Sequence, residues 1–339
     1  MEKTDVLIIG AGVAGLFAAV NVKTDLKVMV VEKQTFPPDK LCAGLMSIHA
    51  YRRIEALHPP ISAFYNPATL PLCIVDGNNG LETTVPHPFR NLKRGGFYSW
   101  MAGLLDDNAS IAERTRPVEI SEERRGYRVV LTDDKNRKRE LETGCIIAAD
   151  GARSWTRSFL GSPMPPYVDA IQYRFRNNGE LDHAEFVFDP RISQNGYCWI
   201  VPQNDEIAIG ACMQKGDRRT APELMAEEYH VDPAWLERQS HPIVTLSHLS
   251  QVSLGRGSAM YAGEAAGLVD PLWWEGLSLA LESGELAAAA VNENPECPLD
   301  TYGKSCRPLL LRLRDDLEIR AAIRDPDARK RYLQSISGA

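Results

Sequence analysis

Asp5 to Gly10 (DVLIIG) reads as a short, apolar, buried strand that ends on glycine. Gly10, Gly12 and Gly15 then spell G-x-G-x-x-G at the point where the strand should turn into a helix, Gly12 to Lys23. Lys27 to Glu32 (KVMVVE) reads as a second buried strand, which closes a βαβ unit. Few arrangements constrain a chain more. The first glycine permits a tight turn, the second lets a pyrophosphate approach the backbone, and the third lets helix and strand pack closely. The helix N-terminus offers free N–H groups and partial positive charge to the phosphates. Glu32, seventeen residues after Gly15, ends the second strand where an acid accepts ribose hydroxyls, and its charge repels a 2′-phosphate. The glycines alone would also suit a turn without a ligand; the ordered set of strand, helix, strand and acid predicts a dinucleotide. It does not say which one.

The apolar run Val6 to Val20 is too short to span a membrane, lacks a basic flank and carries the three glycines, so the reading is a soluble, cytoplasmic protein. With 38 basic and 45 acidic residues the formal charge is 38 − 45 = −7, which gives no global attraction to nucleic acid. Cysteines 42, 73, 145, 198, 212, 297 and 306 form no C-x-x-C pair, so neither a metal site nor a disulfide framework is expected. Trp100 to Asp107 reads as a helix. Tyr127 to Thr132 and Arg139 to Glu142 read as an antiparallel ribbon, and Cys145 to Ala149 as another buried strand. Ala170–Phe175, Ala184–Phe188, Tyr197–Val201 and Ile207–Cys212 form a meander-like series. Ala221 to Ser240 reads as a helix, Ala259 to Gly263 as a short strand before an interrupted helix, and Gly276 to Asn292 as a strong helix. The expected fold class is α/β: a Rossmann-like dinucleotide-binding domain, an inserted antiparallel β-sheet substrate domain and a helical C-terminal tail. The expected boundaries are 1–55, 91–160 and 251–298 for the first, 56–90 and 161–250 for the second, and 299–339 for the tail.

Two later motifs carry a family resemblance. Residues 149–157 (ADGARSWTR) have the form D-G-x-x-S-x-x-R after a buried strand. Residues 263–271 (GEAAGLVDP), followed by Glu275-Gly276-Leu277, have the form G-[DE]-A-A-x-x-x-x-P…G. With the glycine turn, in this order, they resemble the FAD-dependent oxidoreductases of the para-hydroxybenzoate hydroxylase fold. Lys40-Leu41-Cys42-Ala43-Gly44 is similar to the K-x-C-G-G segment of the geranylgeranyl reductase-like branch. Tyr197-Cys198-Trp199-Ile200-Val201-Pro202 is similar to its Y-x-W-x-F-P segment.

The resemblance implies FAD as cofactor, held by a Rossmann-like FAD-binding domain (GR2-type). It implies contacts from Gly10, Gly12, Ala14, Gly15, Glu32, Lys33, Lys40, Cys42, Arg94, Val118, Asp150, Gly151, Gly263, Glu264, Pro271, Gly276 and Leu277. Glu264 would meet the ribityl chain, Pro271 would lie near the isoalloxazine face, and the helix opened by Gly276 would face the pyrimidine edge. Val118 would meet adenine through its backbone, Arg94 would reach a phosphate or the ribityl chain, and Asp150 with Arg157 would support FAD and a docking nicotinamide donor. Asp150 would also serve as a helix cap. Cys42, Tyr197 and Trp199 would be the catalytic set, with Cys42 beside the flavin and the two aromatics on one face of a strand as a cavity wall. The implied reaction is reduction of a carbon–carbon double bond in an apolar, prenyl-like substrate, with NAD(P)H as an external electron donor. Two alternatives stay open: a monooxygenase acting on an aromatic or small apolar substrate, and an FAD-binding maturation or interaction partner without turnover. The tail Arg307–Arg314 mixes leucine with arginine, but its acids favour a helix that covers the core, with membrane contact at most peripheral.

Overall fold

The computed structural model describes residues 2–177, 181–189, 196–213, 221–228, 231 and 234–337. The chain divides into two compact units. One comprises Met1–Asp39, Tyr98–Tyr167 and Val244–Leu317, the other Lys40–Phe97, Val168–Ile243 and Glu318–Ala339.

The first unit is built on a sheet whose spatial order is Gly255–Arg256, Ala259–Tyr261, Lys138–Ala148, Glu2–Ile9, Val28–Val31, Ala109–Ala112. Strand Glu2–Ile9 pairs in parallel with both Lys138–Ala148 and Val28–Val31. Residues 6–9, 28–31 and 145–148 of these strands are apolar and buried, as a layer covered by helices requires. Lys138–Ala148 is one continuous strand. Its first half forms an antiparallel ribbon with Tyr127–Asp133 and Thr115–Glu122, and its second half enters the parallel core. The ribbon strand and the CIIAA strand expected separately from sequence are therefore a single element.

Helix Val13–Asn21 crosses helix Leu277–Glu293 closely. A Cβ on Gly284 would strike the carbonyl oxygen of Ala14, so only glycine permits this approach. Farther on, Leu309 and Leu313 of helix Arg307–Ala322 enter the same core. Leu309 and Leu313 of that tail are thus used internally, while Leu311 is exposed. Among the described residues no helix is long and apolar enough to cross a membrane.

The second unit holds a sheet in the order Glu237–Val244, Tyr167–Arg176, Glu206–Met213, Cys198–Gln203, Ala184–Phe188, Leu72–Asp76, Leu81–Thr84. A smaller sheet joins Leu45–Met46, Phe89–Leu92 and Phe64–Leu70. One face of the large sheet packs Ile171, Tyr173, Ile200 and Ile209 against Met225 and Ala226 of helix Ala221–Glu228. Helix Pro326–Ile336 is held in this unit by a buried ion pair. Arg329 donates to Asp76 through Nε at 2.8 Å and NH2 at 3.0 Å, and its guanidinium lies 5.4 Å from the Phe188 ring centroid.

Several sequence expectations shift. The helix expected at Trp100 to Asp107 runs Arg94–Ala102, because its first turn uses the glycines Gly95 and Gly96, which carry no apolar signal. The helix expected over Ala221 to Ser240 ends at Glu228; part of it (229–230 and 232–233) lies outside the described residues, and Glu237–Val244 is an edge strand. The helix expected after Gly263 is a single 3₁₀ turn, Gly263–Ala265, ended by Gly267 at φ +89°. Residues 40–55 and 91–97 group with the second unit, since Leu45–Met46 pairs with Phe89–Leu92. The helical tail is divided too, with 318–339 in the second unit.

Candidate functional site

In the first unit the glycine turn is built from three different constraints. A Cβ on Gly10, at φ +104°, would strike the carbonyl oxygen of Ala149. A Cβ on Gly15 would strike the carbonyl oxygen of Gly10. A Cβ on Gly12 would meet nothing within 4 Å. Gly10 and Gly15 are therefore demanded by the protein itself, whereas Gly12 keeps open a space that no protein atom fills. Gly12 is also the N-cap of helix Val13–Asn21, and it supplies no side-chain hydrogen bond to that helix end. An open position over uncapped N–H groups suits a pyrophosphate.

Glu32 is buried, and its carboxylate is engaged at both oxygens. Ala11 N–H donates to Oε2 at 3.0 Å and Gln34 N–H to Oε1 at 2.9 Å. Glu32 thus ties the glycine turn to the end of the second strand, and each oxygen keeps a further lone pair for a hydroxyl. Lys33 beside it is exposed. Val118 sits where the ladder register between Thr115–Glu122 and Tyr127–Asp133 skips a residue. Leu131 pairs with Pro117 and Val130 with Glu119, so Val118 is the extra residue of a bulge.

The D-G motif lies beside the turn, since a Cβ on Gly10 would come 3.1 Å from the Asp150 Cα. The N-cap of helix Trp155–Phe159 is Ser154, not Asp150 as one of the two sequence readings had it; Asp150 holds that helix start from four residues earlier. Ser154 Oγ donates to Oδ1 at 2.5 Å, and Thr156 donates to Oδ2 from N at 2.9 Å and from Oγ1 at 3.0 Å. Burial raises this carboxyl above its ordinary value, against those hydrogen bonds. Gly151, at φ +83°, also borders open space. Arg157 differs from its expected role near a nicotinamide donor. It is 1% exposed, and its guanidinium donates to the carbonyls of Ala265 at 3.0 Å and Gln251 at 2.9 Å. It is a strut between the two later motifs, and burial lowers its pKa.

Gly263, at φ +56°, lies against Ala14, and its N–H donates to Ser283 Oγ at 2.9 Å. The glycine turn and the last motif therefore meet. Glu264 is half-buried on the 3₁₀ turn, and Pro271 is buried. Sequence reading missed Asp270. Its Oδ1 accepts the N–H groups of Leu272 at 2.7 Å and Trp273 at 3.0 Å, which folds the Trp273–Trp274 loop; Trp274 sits at φ +51°, a strained conformation for a bulky residue. Burial pushes Asp270 up to about 6. Gly276 is the N-cap of helix Leu277–Glu293, but Glu275 Oε1 accepts the Ser278 N–H at 2.8 Å. A carboxylate thus occupies part of the helix end that the resemblance assigns to the flavin pyrimidine.

In the second unit, the Cys42 loop turns at Gly44, φ +88°, whose N–H points to the Cys42 Sγ at 3.3 Å. Cys42 and Lys40 are half-buried, and Arg94 opens its helix half-buried. Gln203 Nε2 donates to the Ala43 carbonyl at 3.0 Å, and Asn91 Nδ2 to the Pro202 carbonyl at 2.9 Å. The carbonyl oxygens of both side chains are buried without a hydrogen-bond partner among the described residues. Tyr197 and Trp199 are buried on one face, with Tyr197 stacked on Phe186 at a centroid distance of 4.3 Å. No sequence pattern distinguishes Asn91 or Gln203 from ordinary strand amides.

Residues 5–37 match the FAD binding domain family. Protein CbrA of Escherichia coli (strain K12) is 25% identical over 347 residues, which is 99% of this chain and 97% of that protein. A geranylgeranyl bacteriochlorophyll reductase-like protein from Thermoplasma acidophilum superimposes with a TM-score of 0.83 at 20% identity, covering 100% of this chain and 92% of its own. The p-nitrophenol 4-monooxygenase PnpA from Pseudomonas putida superimposes at 0.75 with 16% identity, covering 99% and 94%. The chain that carries the open glycine turn, the bonded acid and the two interlocked later motifs has the fold of geranylgeranyl reductase-like and para-hydroxybenzoate hydroxylase-type flavoproteins, and its residues 5–37 match the FAD binding domain family.

Proposed function

We propose that this protein is an FAD-dependent oxidoreductase that reduces a carbon–carbon double bond of an apolar, prenyl-like substrate, with NAD(P)H as the external donor. The observation that carries FAD is the unfilled space over Gly12 at an uncapped helix end. The choice of reaction is supported by the Lys40–Gly44 and Tyr197–Pro202 segments and by full-length superposition on a reductase-like protein. Bound FAD would supply hydride chemistry. Gly12 leaves room for the pyrophosphate, Glu32 accepts ribose hydroxyls, and Gly263, fixed by Ser283, sets the turn that presents Glu264. Cys42, Tyr197 and Trp199 are proposed as the catalytic set, with the aromatics holding an apolar substrate.

The competing reading is a monooxygenase, which the superposition on PnpA favours. Product and oxygen measured together decide between them. Anaerobic turnover of a prenyl substrate with NAD(P)H supports the reductase; oxygen consumed in step with a hydroxylated product overturns it. Bound FAD that reoxidises in air with no substrate-stimulated turnover points to the interaction partner instead.

A further inference from the structure

Gln172, Gly210, Trp199, Phe186 and Ile74 lie in register across five strands of the large sheet of the second unit. Side chains at this register share one face. It is the face opposite to the Ile171–Ile200–Ile209 core under helix Ala221–Glu228. The tryptophan lies flat on the sheet, because a Cβ on Gly210 would strike its indole ring. Trp199 Nε1 then reaches Gln172 Oε1 at 2.9 Å. An indole N–H can only donate, so it fixes which end of the amide faces it. The other end, Gln172 Nε2, must be a donor. It is buried, with Gln172 1% exposed, and has no hydrogen-bond partner among the described residues.

A buried donor held in a fixed direction without an acceptor is destabilising. Leucine here together with phenylalanine at 199 would leave no polar group buried at this spot. The arrangement makes sense if an acceptor arrives with a ligand. The rings of Tyr197, Phe186 and Trp199 beside it take an apolar body.

We propose that this face binds an apolar ligand bearing a hydrogen-bond-accepting oxygen of the carbonyl class, and that Gln172 Nε2 donates to that oxygen. The inference rests on the prenyl-reductase reading for the identity of the ligand as substrate and narrows it: the substrate is a functionalised prenyl compound rather than a bare hydrocarbon. Gln172 then sets specificity through the ground-state complex, so its signature lies in binding.

The test is calorimetric titration of the FAD-loaded protein, without electron donor, using geranylacetone and the matched hydrocarbon in which a methylene replaces the carbonyl. The wild type binds the ketone about tenfold more tightly. Gln172→Met removes that preference and leaves the hydrocarbon affinity unchanged. Should Gln172→Met fail to fold because the Trp199 N–H is orphaned, the double change with Trp199→Phe removes both polar groups and keeps the ring. Equal affinity for the two probes in the wild type, or a preference that survives both variants, overturns the proposal and leaves double-bond reduction standing. Binding of neither probe overturns the proposal and the prenyl substrate class together.

Discussion

Adding one methyl group to each of two neighbouring glycines separates ligand from scaffold at the residue scale. On Gly12 the added atom enters open space, and on Gly15 it enters the backbone of Gly10. Gly12→Val is therefore expected to leave the apoprotein folded, with an unchanged apo melting temperature, and to abolish FAD binding read from bound-flavin absorbance. Gly15→Ala is expected to lower the apo melting temperature outright. Glu32 combines the two roles. Glu32→Ala removes the acceptor of the Ala11 and Gln34 N–H groups and, with it, the proposed ribose contact. The expected outcome is a loss of about 1–3 kcal/mol in apo stability, together with a ten- to hundredfold weaker FAD affinity, seen by denaturation and by titration. Cys42→Ser, which keeps the loop backbone, is expected to retain FAD and change the rate per bound flavin. A lower melting temperature at saturating FAD with an unchanged rate would remove Cys42 from the site.

At the scale of elements, the clearest liability is helix Pro326–Ile336, docked by one guanidinium on one carboxylate. Burial pushes the Asp76 carboxyl up, but hydrogen bonds from Arg329 and Asn79 outweigh it and hold it below its ordinary value. Arg329→Ala leaves that buried charge without its counter-charge, with only the amide donors of Asn78 and Asn79. Chemical denaturation is expected to show a loss of about 3–5 kcal/mol, and adding Asp76→Asn to recover much of it. Neither residue was legible in the sequence, since they lie 253 positions apart and belong to no motif. The βαβ unit was legible because the periodicity, the glycines and the acid agree. Residues 237–240 of strand Glu237–Val244 were read as the end of a helix because this is the edge strand of its sheet. Its ERQSHPIV sequence alternates exposed and half-buried residues and so lacks the apolar signature of a core strand. The FAD cradle was readable to the extent that it rests on turns needing glycine. Gln172, Asn91 and Gln203 are lone amides, whose meaning depends on which atoms the fold leaves unpartnered.

For the molecule as a whole, two carboxyls set a pH dependence. Asp270 and Asp316 are each pushed up to about 6, chiefly by burial, and the charge of Asp270 adds to the shift at Asp316. Their ordinary value is 3.8, so the native state binds more protons than the unfolded state between roughly pH 4 and 6. The stability they confer is complete below that window and is lost as pH rises through it. Asp316→Asn is thus expected to match the wild type near pH 4 and to be more stable above pH 6, by about 1–2 kcal/mol after allowing for its partial exposure. Thermal melts across the window check this. The division of the chain has a separate consequence, for the order of synthesis. Each unit is stitched from three stretches that alternate along the chain, and the first is closed only by Val244–Leu317, the second only by Glu318–Ala339. A nascent polypeptide therefore starts the second unit before it can close the first. The first sheet keeps an open edge until Ala259–Tyr261 pairs with Lys138–Ala148, so the proposed flavin site, which includes Gly263, is whole only after every strand of the second unit has been made.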